Sequence, residues 1–451
     1  MIQSILLIIF YCIIGIAGSR HLFPKKNNAS RMFVIAYAFS LSFVITYYLC
    51  MVFVFDLNYN KIEPIVKGIF QSDAWGYHTS AVYIAENSLH YDIGSVFSKS
   101  WALLWEYVVG IHYYVWGINP LFPNIFNAFI FSFGAVVFFE LSQLITNNDE
   151  QSAVSYNLYC TFLPMLYMNS AMMKESLLLV LEILFLYSFY HYLLKRNTAA
   201  IVAIVFSFLL MLVTRYVYAF SALMAVTVVL FALSQVRWYK KVIIIFIITI
   251  VPYVLLQSTI GESIGLMNVI SGTQTGRHYY IATGRVGGIS IEDLSPLGIF
   301  SVVRDNLSVL LKMPMEGGFH FFFRPIPYNI LEFDSSDTTE HFYIAYSIYN
   351  CAYYIIIPGI VTGMILKYKR KQFSLYDYPL IIHFVIIFVL VIFNNADPIR
   401  YRTAVVPFLF PYAAIGLHYL RTEKKYGSFV LVLLSGPLIF VMLLTIFTEI
   451  R

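Results

Sequence analysis

The stretch VIIIFIITIVPYVLL, Val242 to Leu256, carries no charge over 15 residues, and FVLVLLSGPLIFVMLLTIF, Phe429 to Phe447, extends the pattern to 19. A helix needs roughly 20 apolar residues to cross about 30 Å of hydrocarbon, where each backbone amide must be satisfied within its own segment. Strand alternation is absent, so these runs predict spanning helices. The chain around them agrees. Of its 451 residues 60% are hydrophobic and 12% charged, with mean hydropathy +0.75, whereas about a quarter of the residues in a soluble domain are charged. The reading is an all-α fold: one integral membrane domain over 1–451, a polytopic transmembrane helical bundle.

Working outward, apolar runs predict spans near 3–18, 32–55, 124–146, 153–168, 172–194, 199–213, 215–235, 242–257, 343–366, 377–395, 403–420 and 426–448, about twelve in all. MIQSILLIIFYCIIGIAGSR ends in small residues as a secretory signal does, but no positive segment precedes its apolar run, so it reads as an uncleaved first span. Counting spans alternately tests the partition, because basic connections belong on the cytoplasmic side. Arg20, Lys25, Lys26 and Arg31; Lys195 and Arg196; Arg237, Lys240 and Lys241; Lys367, Lys369, Arg370 and Lys371; and Arg421, Lys424 and Lys425 all fall on connections of one parity. The exception is NNDEQS, 147–152, which has that parity and no basic residue.

This topology puts both termini outside and leaves two long exterior loops, 56–123 and 258–342, both rich in aromatics. WALLWEYVVGIHYYVW, Trp101 to Trp116, contains Glu106 and His112 and predicts an amphipathic helix lying along the outer interface. The second loop carries the basic GLMNVISGTQTGRHYYIATGRVGG and the apolar GGFHFFFRPIPYNI, which is expected to rest on the membrane face. The four cysteines, Cys12, Cys50, Cys160 and Cys351, sit in or beside apolar runs. They indicate packing, neither a disulfide framework nor a thiolate metal cluster. The net charge of +5 lies in short clusters between spans, which fits membrane topology and gives no nucleic-acid surface.

Chemistry-bearing residues gather on the exterior side. In QSDAWGYHTSAVYIAEN, 71–87, Asp73 precedes Tyr77 and His78 by about one helical turn. Asp73 reads either as a helix N-cap or as a general base or ligand of a divalent metal, with Tyr77 and His78 placing the acceptor or a phosphate. NSAMMKES, 169–176, delivers Lys174 and Glu175 to the start of a span, as a snorkelling lysine with a helix-start glutamate or as a phosphate-binding pair. Arg215 in VTRYVYAF sits between two apolar helices, where an unpaired guanidinium is costly. NNADPIRYR, 394–402, packs Asp397, Arg400 and Arg402 into a connector whose side disfavours arginine. One early acid and several cations at headgroup height suit a lipid phosphate or pyrophosphate, which arginine grips bidentately. No Walker A or Rossmann glycine pattern is present. Glu182, in LLLVLEILFLY, lies near the middle of a span and predicts a protonated or helix-paired carboxyl, the kind of group a transporter uses as a proton relay.

SDAWGYH, then YVVGIHYYVWGINPLFPNIFNAFIFSFGAVVFFEL, then FLPMLYMNSAMMKESLLLVLEILFLYSFY and the later RYRTAVVPFLFPYAAIG resemble the polytopic GT-C-type glycosyltransferases, including the protein mannosyltransferase-like membrane proteins of bacterial surface-polysaccharide loci. The resemblance covers residues 60–200 and 390–420. It implies a polyprenyl-phosphate-linked sugar donor, chemistry on the periplasmic face of the inner membrane, and a first-loop acid, here Asp73, as catalytic base. Two departures are visible: two spans precede the acid where that group has one, and the adjacent second acid of many members is missing. O-antigen polymerases, which act on undecaprenyl-pyrophosphate-linked repeats, resemble the chain too, and the basic second loop with Arg277, His278, Arg285, Arg304 and Arg324 favours them. A lipid-linked oligosaccharide flippase is a third reading, opposed by the absence of an internal repeat.

Overall fold

The computed structural model describes residues 2–23, 28–53, 72–89, 103–232, 239, 356–394 and 398–423, with no strand among them. In chain order the helices are α1 (Ile2–Leu22), α2 (Ala29–Phe53), α3 (Ser72–Glu86), α4 (Leu103–Trp116), α5 (Leu121–Thr146), α6 (Asp149–Cys160), α7 (Leu163–Ser170), α8 (Glu175–Lys195) and α9 (Thr198–Ala232). They continue with α10 (356–369), α11 (Asp377–Asn394), α12 (Pro398–Val405), a 3-10 turn (Val406–Leu409) and α13 (Phe410–Thr422). Six of the described helices are long and apolar enough to cross a membrane: Ile2–Leu22, Ala29–Cys50, Leu121–Thr146, Glu175–Lys195, Thr198–Arg215 and Tyr401–Thr422. Val217–Phe231 and Asp377–Val389 are shorter apolar helices. The expected spans at 242–257 and 426–448, and the second long loop, lie outside the described residues.

The hairpins follow from local chemistry. The α5–α6 turn is closed by Asn147 in the left-handed region, at φ 50°. Asn148 then accepts the Gln151 N–H at 3.0 Å as N-cap of α6, and Asp149 and Glu150 fill the first turn, where the helix dipole favours acids. Capping therefore explains why NNDEQS carries acids on a connection where basic residues are the rule. Pro164 sits at the start of α7 and lacks the N–H that would continue α6. The predicted span 153–168 is accordingly broken at Thr161–Phe162.

Within α9, Arg215 leaves helical geometry at φ −167° and ψ 94°. Phe208 and Phe220 lie on either side of it with ring centroids 6.4 Å apart, although twelve residues of straight helix would separate them by about 18 Å. The chain therefore reverses at Arg215, as the predicted spans 199–213 and 215–235 require. Phe185 of α8 meets Phe208 at 6.3 Å, so α8 and 198–214 are antiparallel neighbours. Glu182 and Tyr190 of α8 meet His383 and Tyr376 respectively, which makes α11 antiparallel to α8 as well.

These pairings give the bundle two distinct ends. At one, Lys367 donates to the Ile145 carbonyl at the C-terminus of α5, Lys195 and Arg196 close α8, and Arg370 lies over Tyr419 near Arg421. Basic residues that alternate in sequence thus share an end in space. At the other end lie the α7–α8 connection, Arg215 and α12. There α3 packs along α4, and Trp105 of α4 donates to the Met172 carbonyl at 3.0 Å. One face of the segment expected to lie along the interface packs on the bundle, with Trp105, Glu106, His112 and Tyr113 buried, while Ile111, Tyr114 and Val115 on the other are exposed. Among the described cysteines Cys160 is buried and none is in a disulfide.

Candidate functional site

The site is organised by the short connection between α7 and α8. Two asparagines of α5 hold it. Asn124 donates to Ser170 O at 2.7 Å, and Asn127 to Met173 O at 3.0 Å. Asn169 in turn donates to Ser40 of α2 at 3.2 Å and accepts from Ser176. Met172 is held in the left-handed region at φ 55°, a costly conformation for a side chain with a Cβ that persists only where its surroundings over-determine it. Trp105 on its carbonyl and Tyr113 on its sulfur do so.

This platform fixes Lys174 as N-cap of α8 and Glu175 as its first residue. The Lys174 ammonium lies 5.5 Å from the centre of the Tyr77 ring, and both residues are buried. Glu175 accepts from Arg215 at 3.4 Å. The guanidinium carbon of Arg215 stands 4.3 Å over the Tyr401 ring, and its side chain remains 18% exposed. Tyr401 stacks on Tyr218 with centroids 5.7 Å apart. Arg402, the next residue of α12, is buried, and α12 packs on α8, α11 and α7. Four segments far apart in sequence therefore bring Tyr77, Lys174, Glu175, Arg215 and Arg402 to one end of the bundle. Three of these are cations and one is an acid.

The imidazoles nearby are held by hydrogen bonds between helices. His78 donates from Nδ1 to the Tyr113 hydroxyl at 2.8 Å, and that hydroxyl's proton points to Met172 Sδ at 3.4 Å. Burial lowers the His78 pKa to about 4, so at neutral pH the ring is an uncharged strut between α3 and α4 and adds no positive charge. His112 bonds the Val108 carbonyl through Nδ1 at 2.6 Å and so accepts from Tyr11 of α1 at Nε2, also 2.6 Å. Burial pushes its pKa down, and the backbone bond opposes that in part.

Asp73 is the second residue of α3, one turn before Tyr77, and its side chain lies outside the described residues, as do the side chain of Arg400 and the whole of Asp397 and Arg324. No group of three or more metal-ligating side chains occurs among the described residues. Residue types alone did not single out Tyr401, although the signal was present: it is the aromatic between the two arginines of IRYR, placed to take a guanidinium on its face. Tyr113 and Met172, which hold the platform, carried no such signal.

No family model and no curated protein matches the chain. The site's chemistry therefore rests on the residues themselves.

Proposed function

We propose that the chain is a membrane glycosyltransferase of bacterial surface-polysaccharide (O-antigen or capsule) biosynthesis, taking its sugar from a polyprenyl-phosphate donor. It would act on the periplasmic face of the inner membrane as a bundle of about twelve spans. The observation that carries this reading is the convergence of Lys174, Arg215 and Arg402, with Tyr77 and Tyr401 as aromatic faces, at the end of the bundle opposite the basic loops. Cations at that end run against the positive-inside rule, and their charge suits an anionic ligand. A lipid phosphate supplies that charge at headgroup height, and a partly dry setting strengthens each charge-assisted bond.

In the reaction an acceptor sugar hydroxyl attacks the anomeric carbon of the donor. The bond from that carbon to the phosphate oxygen breaks, the polyprenyl phosphate leaves with the electron pair, and the hydroxyl proton passes to a base. Asp73, one turn before the Tyr77 ring that faces Lys174, is the assigned base. Lys174, Arg215 and Arg402 hold the leaving phosphate, and Glu175 orients Arg215. Asp73→Asn is expected to stop polysaccharide assembly in cells while the protein still accumulates in the membrane; assembly that continues undiminished would refute the base assignment.

One observation favours a second reading, a repeat-unit polymerase acting on undecaprenyl pyrophosphate. Three cations against one acid at the described site match the higher charge of a pyrophosphate. Analysis of lipid-linked glycans in a deletion strain separates the two. A transferase leaves a unit lacking one sugar, a polymerase leaves single complete units, and a flippase leaves units on the cytoplasmic side.

A further inference from the structure

Beneath the cation cluster the same helices carry ionisable groups that phosphate binding does not use. Glu182 follows Glu175 by seven residues, two turns or about 10 Å deeper on one face of α8. It is wholly buried, as is His383 of α11, whose Nε2 lies 3.4 Å from a Glu182 oxygen. The other ring nitrogen of His383 is 2.9 Å from the Ser221 hydroxyl of α9. Neither Glu182 oxygen has a hydrogen-bond partner among the described residues. A carboxylate in the middle of an apolar bundle is unfavourable unless it is paired or protonated.

The pair is linked to the cluster above. Tyr218 precedes Ser221 by three residues, on the same side of α9. Its hydroxyl donates to the Tyr401 carbonyl at 3.3 Å, its ring lies 6.5 Å from that of His383, and it lies within electrostatic reach of Arg215, Glu182, Tyr401 and Glu175. The titratable and charged groups on the surrounding elements are Glu175 on α8, Arg215 and Tyr218 on α9, Tyr401 and Arg402 on α12, and Asp377 at the far end of α11. Phe408 of the 3-10 turn closes the remaining side with its ring 5.5 Å from His383.

We propose that Glu182 and His383 form an interior proton-binding site, reached from the cation cluster by way of the Tyr218 and Ser221 hydroxyls, that takes up one proton when a phosphate-bearing ligand binds above it. With the cluster empty, Arg215 and Arg402 offset the Glu182 charge. An anion on those cations removes the offset, and a proton from solvent at that end replaces it; no bond breaks and no electron moves. The proton site stands on its own geometry, whereas its coupling to anion binding rests on the function proposed above.

Two measurements on the purified full chain separate these parts. In an infrared pH titration, the wild type is expected to show a protonated-carboxyl band that changes with pH. That band should disappear in Glu182→Gln, shift in Glu182→Asp and move its midpoint in His383→Gln. The same band in Glu182→Gln as in the wild type would overturn the proton site. Calorimetry with inorganic pyrophosphate in two buffers of different ionisation heat then counts protons. About one proton should be taken up per anion by the wild type and none by Glu182→Gln, which should still bind. Binding without proton uptake by the wild type would overturn the coupling. No binding at all would refute the anion site, and the infrared result would still decide the proton site.

Discussion

Two ion pairs, one at each end of the bundle, are built differently. Lys367 and Asp377 approach to 2.5 Å and are both buried. The lysine also donates to Ile145 O at 2.8 Å. The aspartate accepts from the Ser374 amide and hydroxyl at 2.6 and 2.8 Å and from Tyr412 at 3.0 Å. That pair joins α5, α10, α11 and α13, and each carboxylate oxygen of Asp377 accepts two hydrogen bonds. The Arg215–Glu175 contact is longer, at 3.4 Å, and the guanidinium is partly open to solvent. A saturated pair is a structural joint, because removing one partner strands the other. A longer pair with an accessible cation has room to exchange its partner for a ligand.

The comparison breaks most readily at the saturated pair. Lys367→Met leaves Asp377 buried without its cation and is expected to cost about 3–5 kcal/mol. It should lower the thermal unfolding temperature of the purified protein sharply, and further than Arg215→Gln, which leaves the buried Glu175 without this cation but gives up a longer contact from a partly solvated guanidinium. The pH dependence of the opposite end gives the next largest effect. The His78 pKa is lowered from 6.5 to about 4 in the fold, so the unfolded chain binds the extra proton first. Stability is then unaffected above about pH 6.5 and falls as pH drops from there toward 4, by up to roughly 3 kcal/mol. Unfolding measured against pH should show a shallower slope in His78→Phe than in the wild type, the remainder coming from His112, whose pKa burial also lowers.

Function reverses the order of the two pairs. Arg215→Gln is expected to reduce polysaccharide assembly about 100-fold, as loss of one charge-stabilising donor does at a reacting centre. Arg215→Lys should recover only part of it, lacking the bidentate fork. The smallest effect belongs to the platform. Asn127→Ala removes two buried hydrogen bonds, to Asn169 O at 3.4 Å and Met173 O at 3.0 Å, and should cost about 1–2 kcal/mol in unfolding measurements.

Much of the helical layout was readable from residues, because lipid forces long uncharged runs and the charges between them alternate. The reversal at Arg215 and the shared end of Lys195, Arg196 and Lys367 are visible in that pattern. The roles of individual charges were less so. Lys367 counts in sequence as one more solvated loop cation, yet it is buried against Asp377, ten residues on and across a turn. Glu182 reads as a carboxyl that needs a partner, but nothing local names His383, which is 201 positions away. At the site, Lys174, Glu175, Arg215 and Arg402 stood out because charge in an apolar chain is costly. Tyr401 and the Asn124–Asn127 support did not, since aromatics and amides are ordinary inside a bundle.

The central claim is that the end of the bundle holding Lys174 and Arg215 binds a lipid phosphate. The direct measurement is the affinity of the purified wild-type chain for a polyprenyl phosphate, set beside Arg215→Gln, Lys174→Gln and a control change among the basic loop residues, Lys371→Gln. Binding that is saturable in the wild type and in Lys371→Gln, and weakened at least about tenfold in each of the first two variants, is the predicted result. Equal affinity in all four proteins would contradict it.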